Sequence, residues 1–270
     1  MVVFITGGSS GIGRRLVLHY LGRGCTVATV ARREANLADL YQSLECDRGL
    51  LRTYCADITD KKTIAKTIAA VEQELGPIDL AIINAGTTYQ QLEANLDLEC
   101  FEEVMLTNAI GSTYTLVPIV ETMLKRGRGQ IVGISSLAAI ASIPRMSTYC
   151  ASKAALNYLL EGLYWTLKPH GISVTTICPG FIETEMTIKH QIPTHWCMTL
   201  DRAIPQIVKA IEQKQRLYCF PFWQYQFVRL LGIMPDRIKE YIFNYSIEQW
   251  FPRPPLTSKQ YDGRKIIQSP

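Results

Sequence analysis

Near the start of the chain, Thr6-Gly7-Gly8-Ser9-Ser10-Gly11-Ile12-Gly13 restricts the possible folds more than any other stretch. It follows a short β-branched run, residues 2–5, of the kind that forms a strand buried on both faces. Behind it, residues 14–21 have helical character. Four glycines and two serines in this turn exceed what a tight turn needs for positive φ. Strand, glycine turn and helix together form a phosphate cradle. The glycines let the backbone approach a pyrophosphate, and the helix N-terminus supplies N–H donors and a positive dipole end. Gly7, Ser9, Ser10, Gly11, Ile12 and Gly13 are therefore candidate cofactor-binding residues.

The same alternation continues down the chain. Short apolar runs at 25–30, 51–55, 80–83, 131–134, 172–178 and 217–220 read as strands. Helical patterns at 36–44, 95–110, 154–163 and 203–213 lie between them. Such alternation predicts an α/β fold, a Rossmann-like doubly wound parallel sheet with helices on both faces. A chain of 270 residues fits one such domain, and no linker-like composition or internal repeat divides it. The expected organisation is a dinucleotide-binding part over 1–220 that holds the catalytic site, a helical C-terminal extension over 221–250, and an irregular tail over 251–270.

Composition narrows the functional classes. The net charge of +4 is small and the basic residues are scattered, which argues against a nucleic-acid partner. Eight cysteines form no C-x-x-C pair and no zinc spacing, and several lie in apolar runs. No metal site is expected, and a reducing compartment is. The opening apolar run is too short for a signal segment, and no apolar run is long enough to span a bilayer. A cytoplasmic location is the expectation.

The residues that carry chemistry are few. Tyr149 and Lys153 are four apart and share a face if their segment is helical. A cation fixed beside a phenol should lower the phenol pKa and poise it for proton exchange. At the end of the second strand, where an acidic residue binds a ribose 2′-hydroxyl in this fold, the chain has Ala31 followed by Arg32 and Arg33. Two guanidiniums without the carboxylate point to a 2′-phosphate clamp, hence NADP(H), with Arg14 as a further contributor. Asp57 sits at a strand end on the ligand edge of the sheet, or else caps the next helix. Asp60 is a plausible cap beside it. Asn84-Ala85-Gly86 closes the fourth strand with small residues that permit close approach. Asn108 lies mid-helix, where propensity is against it, so it faces solvent or bonds something specific. Ser135 and Ser136 end the fifth strand. Cys150 lacks a partner base and reads as a packed thiol. His190 and His195 lack metal spacing and read as polar loop residues.

These pieces, in this order, resemble the short-chain dehydrogenase/reductase family from Val2 to about Thr184. The match rests on the glycine turn, Asp57, Asn84-Ala85-Gly86, Asn108, Ser136, Tyr149-x-x-x-Lys153 and Pro179-Gly180-x-x-x-Thr184. The resemblance implies that Tyr149 exchanges a proton with the substrate oxygen. Lys153 would lower its pKa and hold the nicotinamide ribose. Ser136 would bond the substrate carbonyl, and Asn108 would hold a relay water. Asp57 with Ile58 would border the adenine, and residues 84–86 the adenosine ribose. Pro179, Gly180, Ile182 and Thr184 would border the nicotinamide. The implied activity is NADP(H)-dependent interconversion of a carbonyl and a secondary alcohol on a small, apolar substrate, with reduction preferred. The rival is an NADP(H)-binding regulator or scaffold without turnover. The resemblance also implies a homodimer or homotetramer built through residues 95–123 and 149–167.

Beyond Thr184 the resemblance carries no roles. Residues 185–199 read as a mobile lid. Residues 221–234 and 236–250 hold Phe222, Trp223, Tyr225, Phe227, Leu230, Tyr241 and Tyr245 at helical spacing. They would cover the substrate cleft, contact another subunit, or lie against a membrane surface.

Overall fold

The computed structural model describes residues 1–44, 48–88, 96–189 and 192–250. Seven strands form one parallel sheet in the order β3-β2-β1-β4-β5-β6-β7. They are β1 (Val2–Thr6), β2 (Thr26–Ala31), β3 (Leu51–Cys55), β4 (Leu80–Ile83), β5 (Gly129–Ile134), β6 (Ile172–Pro179) and β7 (Leu217–Phe220). Each consecutive pair is bridged by a helical crossover, as a parallel sheet requires.

The period-2 alternation of the strands sorts their side chains into two cores. Val3, Ile5, Val27, Ile82 and Ile177 face one side, packed by Leu16, Val17 and Tyr20 of α1 (Gly11–Leu21). Leu40 of α2 (Glu34–Gln42) joins them. Val2, Phe4, Ala28, Val30, Ile83 and Val174 face the other side. There they meet Ile64, Ile68 and Val71 of α3 (Lys61–Leu75). Asp60 caps α3, accepting from the backbone N–H groups of Lys62 at 3.0 Å and Thr63 at 3.1 Å. These bonds, with the Thr63 hydroxyl foremost, hold its carboxyl below the usual range.

The predicted helix at 95–110 is corrected in two respects. Asp97 caps α4 (Leu98–Met105), and the chain then passes without a break through a π-helical turn, Leu106–Gly111, into α5 (Ser112–Arg126). Asn108 sits in that turn and is fully buried. A π turn adds one residue to the helical circuit, and this one carries an asparagine that no regular α-helical turn would favour.

α6 (Ser147–Leu167) follows β5 and buries Leu156, Leu160 and Leu167 in the second core. After β6 come the short α7 (Glu185–Lys189) and α8 (Leu200–Glu212), whose Ala203, Ile204, Ile207, Val208 and Ile211 complete the first core. The segment read as a lid is pinned at its base. A bridge pairs Ile182 with Met198, and Met198 N–H donates to Phe181 O at 2.9 Å. α9 (Phe222–Ile233) and α10 (Asp236–Trp250) form the C-terminal extension. Val228 packs with Leu137 and Cys178. His190, Cys46 and the tail over 251–270 lie outside the described residues. Among the described residues, no helix is long and apolar enough to cross a membrane, and no cluster of metal ligands forms.

Candidate active site

A cleft of about 1380 Å³ opens along the carboxyl ends of the strands. It straddles the point where the β1-β2-β3 arm of the sheet gives way to the β4-to-β7 arm, which is where open α/β sheets bind ligands. Its volume exceeds the roughly 300–1,000 Å³ of a single drug-sized site. A dinucleotide and a second molecule fit together.

At one end lie Gly7, Ser9, Ser10, Gly11 and Ile12, at the start of α1. Gly13 does not line the cleft. A Cβ there would overlap the Gly7 carbonyl and come within 2.5 Å of Asn84 Nδ2, so its role is the close packing of helix on turn. Asn84 spends its amide inside the protein, donating to Thr6 O at 3.0 Å and Gly7 O at 3.2 Å. The Thr6 hydroxyl in turn accepts from the N–H groups of Asn84 and Ala85. This lattice ties the end of β4 to the glycine turn and leaves residues 84–86 to line the cleft with small surfaces.

Arg32 and Arg33 flank the same end of the cleft. Arg32 lies 3.6 Å from Asp57 Oδ2, while the other Asp57 oxygen accepts from Thr59 N–H at 2.9 Å. Asp57 is thus both a cleft residue and a turn cap. Arg33 donates to Ser10 Oγ at 2.7 Å and to Glu185 Oε2 at 2.9 Å, spanning from the glycine turn to the start of α7. Arg32, Arg33 and Glu185 are about half exposed or more, and exposed pairs of this kind contribute about 0–1 kcal/mol. Arg14 is corrected: it pairs with Asp39 at 2.5 Å and with Ser43, joining α1 to α2 outside the cleft.

At the chemical end, Ser136, Tyr149 and Lys153 line the cleft together. Helix α6 puts Lys153 one turn beyond Tyr149, with Nζ 5.8 Å from the ring centre. Lys153 is buried at 4% exposure and donates to Ile134 O at 3.1 Å. Gly86 makes room for it, since a Cβ there would sit 3.3 Å from Nζ and 3.1 Å from Asn108 Oδ1. Ser136 accepts from Ala138 N–H at 3.1 Å and hydrogen-bonds the Tyr149 phenol. Ser135 also lines the cleft, but it is buried and its hydroxyl donates to Lys153 O at 3.3 Å.

The electrostatics run opposite to the sequence expectation. Burial pushes the Tyr149 phenol up to about 12, with only the Ser136 hydrogen bond opposing it. Burial also pushes the Lys153 ammonium down to about 8. Desolvation disfavours both charged forms and outweighs what the lysine offers the phenolate. At neutral pH the protein therefore presents a protonated phenol, a proton donor. Cys150 is buried and its thiol is pushed up by burial, consistent with a packed residue.

Asn108 stands behind this cluster and does not line the cleft. Its Oδ1 accepts from Thr87 N–H at 2.8 Å, and its Nδ2 donates to Thr87 O at 2.8 Å and Ser152 Oγ at 2.9 Å. Ser152 Oγ then donates to Tyr149 O at 2.8 Å. Its amide is thus committed to pinning the loop after β4 against α6.

Asp57, Ile58, Ala85, Pro179, Gly180, Ile182 and Thr184 also line the cleft, as expected. Covering the cleft was one of three readings the sequence left open for residues 221–250, Trp223 and Phe227 among them; the rest of the far wall it did not single out. Ile143, Met146, Trp196, Trp223, Phe227, Leu231 and Phe243 form an apolar end, with Glu99, Glu103, His195 and Gln224 among them. Gln224 is the informative omission. It donates to Trp196 O at 2.9 Å and accepts from Phe181 N–H at 3.3 Å, joining α9 to the 185–199 segment itself and to the chain just before it. The signal was faint: a polar residue in an otherwise apolar helix face.

Fold and site together define a doubly wound α/β enzyme with a Ser–Tyr–Lys cluster at its switch point. The chain belongs to the short chain dehydrogenase family, whose model matches residues 1–193, and it is an oxidoreductase. It is 31% identical over 233 residues to an uncharacterized oxidoreductase of Myxococcus xanthus, covering 86% of this chain and 92% of that protein. It is 32% identical over 254 residues to an uncharacterized oxidoreductase of Mycobacterium tuberculosis, covering 90% of this chain and 74% of that one. A short-chain dehydrogenase from Sphingobium yanoikuyae, solved in complex with NADPH, shares the fold. Its TM-score is 0.76 at 24% identity, covering 90% of this chain and 95% of that chain. Family membership sets aside the non-catalytic reading.

Proposed function

We propose that the protein is an NADPH-dependent reductase that converts an apolar ketone or aldehyde to the alcohol, with Tyr149 as the proton donor. One observation carries the reading. A single cleft joins the Arg32–Arg33 end to the Ser136–Tyr149–Lys153 cluster and ends in an apolar wall. The NADPH complex of the Sphingobium relative supports the cofactor.

The residues fit that cofactor. The glycine turn gives a phosphate access to backbone N–H groups at the start of α1. Arg32 and Arg33 would take the 2′-phosphate, and the space kept clear by Gly86 beside Lys153 would admit a ribose. Bound NADPH would supply the hydride. As negative charge develops on the carbonyl oxygen, the Ser136 hydroxyl and the Tyr149 phenol donate to it. Tyr149, protonated at neutral pH, then releases its proton to the forming alkoxide, which is the stronger base. Lys153, a buried cation one helical turn away, stabilises the phenolate left behind. Asn108 holds the β4 loop and α6 at fixed spacing while this happens.

We further propose that the enzyme works in the cytoplasm as a homo-oligomer built through α4, α5 and α6. Leu98 on α4, Leu106 and Ile110 in the π turn, Val117 and Leu124 on α5, and Tyr158 and Trp165 on α6 leave a broad apolar exposure there.

Fluorescence titration with NADPH and NADH, on wild type and on Arg32→Ala/Arg33→Ala, tests the cofactor assignment. A strong NADPH preference lost in the double variant is expected, and equal binding of both cofactors by wild type would refute it. Tyr149→Phe should bind NADPH normally and lose at least about 10²-fold in turnover.

A further inference from the structure

The outward face of α9 is apolar where a helix packed on a soluble protein is usually polar. Val228 and Leu231 point inward and are buried. On the opposite side Phe222 is 60% exposed, Trp223 81%, Leu230 52% and Ile233 78%. Arg229 is the only charged residue of Phe222–Ile233, and the helix holds no carboxylate. The start of α10 extends the surface with Ile238, Tyr241 and Arg237, all exposed. Aliphatic and aromatic side chains rimmed by arginine and tyrosine are what an interfacial helix presents to headgroups and the first acyl carbons.

The same surface meets the mouth of the cleft. Trp223 and Phe227 belong both to the exposed face and to the apolar wall. An apolar molecule can pass from one to the other without crossing water.

We propose that α9 and the start of α10 dock this enzyme on an anionic phospholipid surface and admit a membrane-dissolved carbonyl compound to the cleft. Arg229 and Arg237 supply the charge complementarity. Neither forms an ion pair among the described residues, and cations next to a membrane are drawn to anionic headgroups. A second copy of the chain is the poorer occupant. A two-fold contact would set this face against itself and bring two Arg229 groups onto it; of the exposed carboxylates at the start of α10, Asp236 and Glu240, the first is already paired with Lys239 at 3.4 Å. The substrate part rests on the reductase reading above, and the docking part does not.

The first test is sedimentation of the full-length protein with vesicles of phosphatidylcholine alone or with added phosphatidylglycerol. Wild type should bind the mixed vesicles and release as salt rises. Phe222→Ser/Leu230→Ser/Ile233→Ser, which spares the cleft residues, should bind about tenfold or more weakly while titrating normally with NADPH. Arg229→Glu should lose the preference for phosphatidylglycerol. Equal sedimentation of wild type and triple variant would overturn docking. So would a wild-type molar mass in vesicle-free solution that halves in the triple variant, which would assign the face to a second copy. Turnover is the second test. A long-chain ketone held in mixed vesicles should be reduced several-fold faster by wild type than by the triple variant, with equal rates on a short soluble ketone. Equal rates on both overturn membrane delivery. Vesicle binding without reduction of any ketone would overturn the reductase reading and the delivery built on it, leaving docking in place.

Discussion

Lys153 shows how a proposed catalytic group is maintained against folding stability. It is buried, and its pKa falls from 10.5 to about 8. Below pH 8 the folded and unfolded chains both carry the proton, and the fold bears the desolvation cost. Between pH 8 and 10.5 the unfolded chain holds the proton and the folded one does not, so stability rises with pH. The shift corresponds to an upper limit of about 3 kcal/mol. Lys153→Met should therefore melt at or above the wild-type temperature at pH 7 and lose that advantage by pH 10, while losing turnover. The window stops at pH 10 because Tyr149, raised to about 12, then begins to act with the opposite sign: the unfolded phenol ionises first and stability falls. Thermal melts of both proteins at several pH values would check this, and a variant less stable at pH 7 than at pH 10 relative to wild type would contradict it. Turnover belongs to the same scale. Reductive kcat/KM of the wild type should fall as pH rises through about 8, because the ammonium that stabilises the phenolate loses its proton there. A flat profile to pH 10 would remove Lys153 from that role.

At the scale of elements, the inner strands were legible as apolar runs rich in β-branched residues, the mark of burial on both faces, whereas the edge strands β3 and β7, largely exposed or half-buried, were legible from their place in the strand–helix alternation. The runs at 51–55, 80–83 and 217–220 coincide with β3, β4 and β7. The π turn was not legible. It replaces one hydrogen-bond pattern with another at no compositional cost, and only the burial of Asn108 against Thr87 and Ser152 explains why the chain adopts it. The candidate site was legible in its identities but not in its electrostatics. Tyr149 and Lys153 announce themselves by spacing, whereas their pKa shifts come from burial, a tertiary property. Arg14 was misplaced for the same reason, because Asp39 on α2 is 25 residues away in sequence. Asn108→Ala removes three hydrogen bonds from this junction and should cost about 2–3 kcal/mol, read by urea unfolding. Turnover should fall more than NADPH affinity, and a variant with normal kcat would show that the β4 loop needs no such clamp. Gln224→Leu should act on the other wall. It frees Trp196 O and Phe181 N–H, so KM for the carbonyl substrate should rise several-fold while NADPH affinity changes little.

The whole molecule displays two apolar exteriors of different character, and the difference lies in what each can satisfy. The α9 face holds aromatics and one arginine at the mouth of the cleft. The α5–α6 exterior lies over the helices that carry Asn108, Tyr149 and Lys153 on their inner side. Tyr158 is 77% exposed and Trp165 59%, each too large to leave in water without cost. Glu161 lies between them in sequence and is paired with Arg216 at 2.8 Å, so the surface mixes apolar anchors with satisfied charge, as self-complementary interfaces do. A two-fold contact there would brace α6 from outside while the substrate site braces it from inside. Tyr158→Glu/Trp165→Glu should convert the proposed oligomer to a lower molar mass by light scattering, with far-ultraviolet circular dichroism unchanged. Turnover should decline more than NADPH binding, because Tyr149 and Lys153 ride on the helix that loses its outer support. Vesicle binding should weaken as well, since the proposed oligomer would present several α9 faces and the separated subunit only one. An unchanged mass in this variant would mean that α6 is not the contact. Tyr158 and Trp165 would then have to be accounted for as a second face toward some other partner.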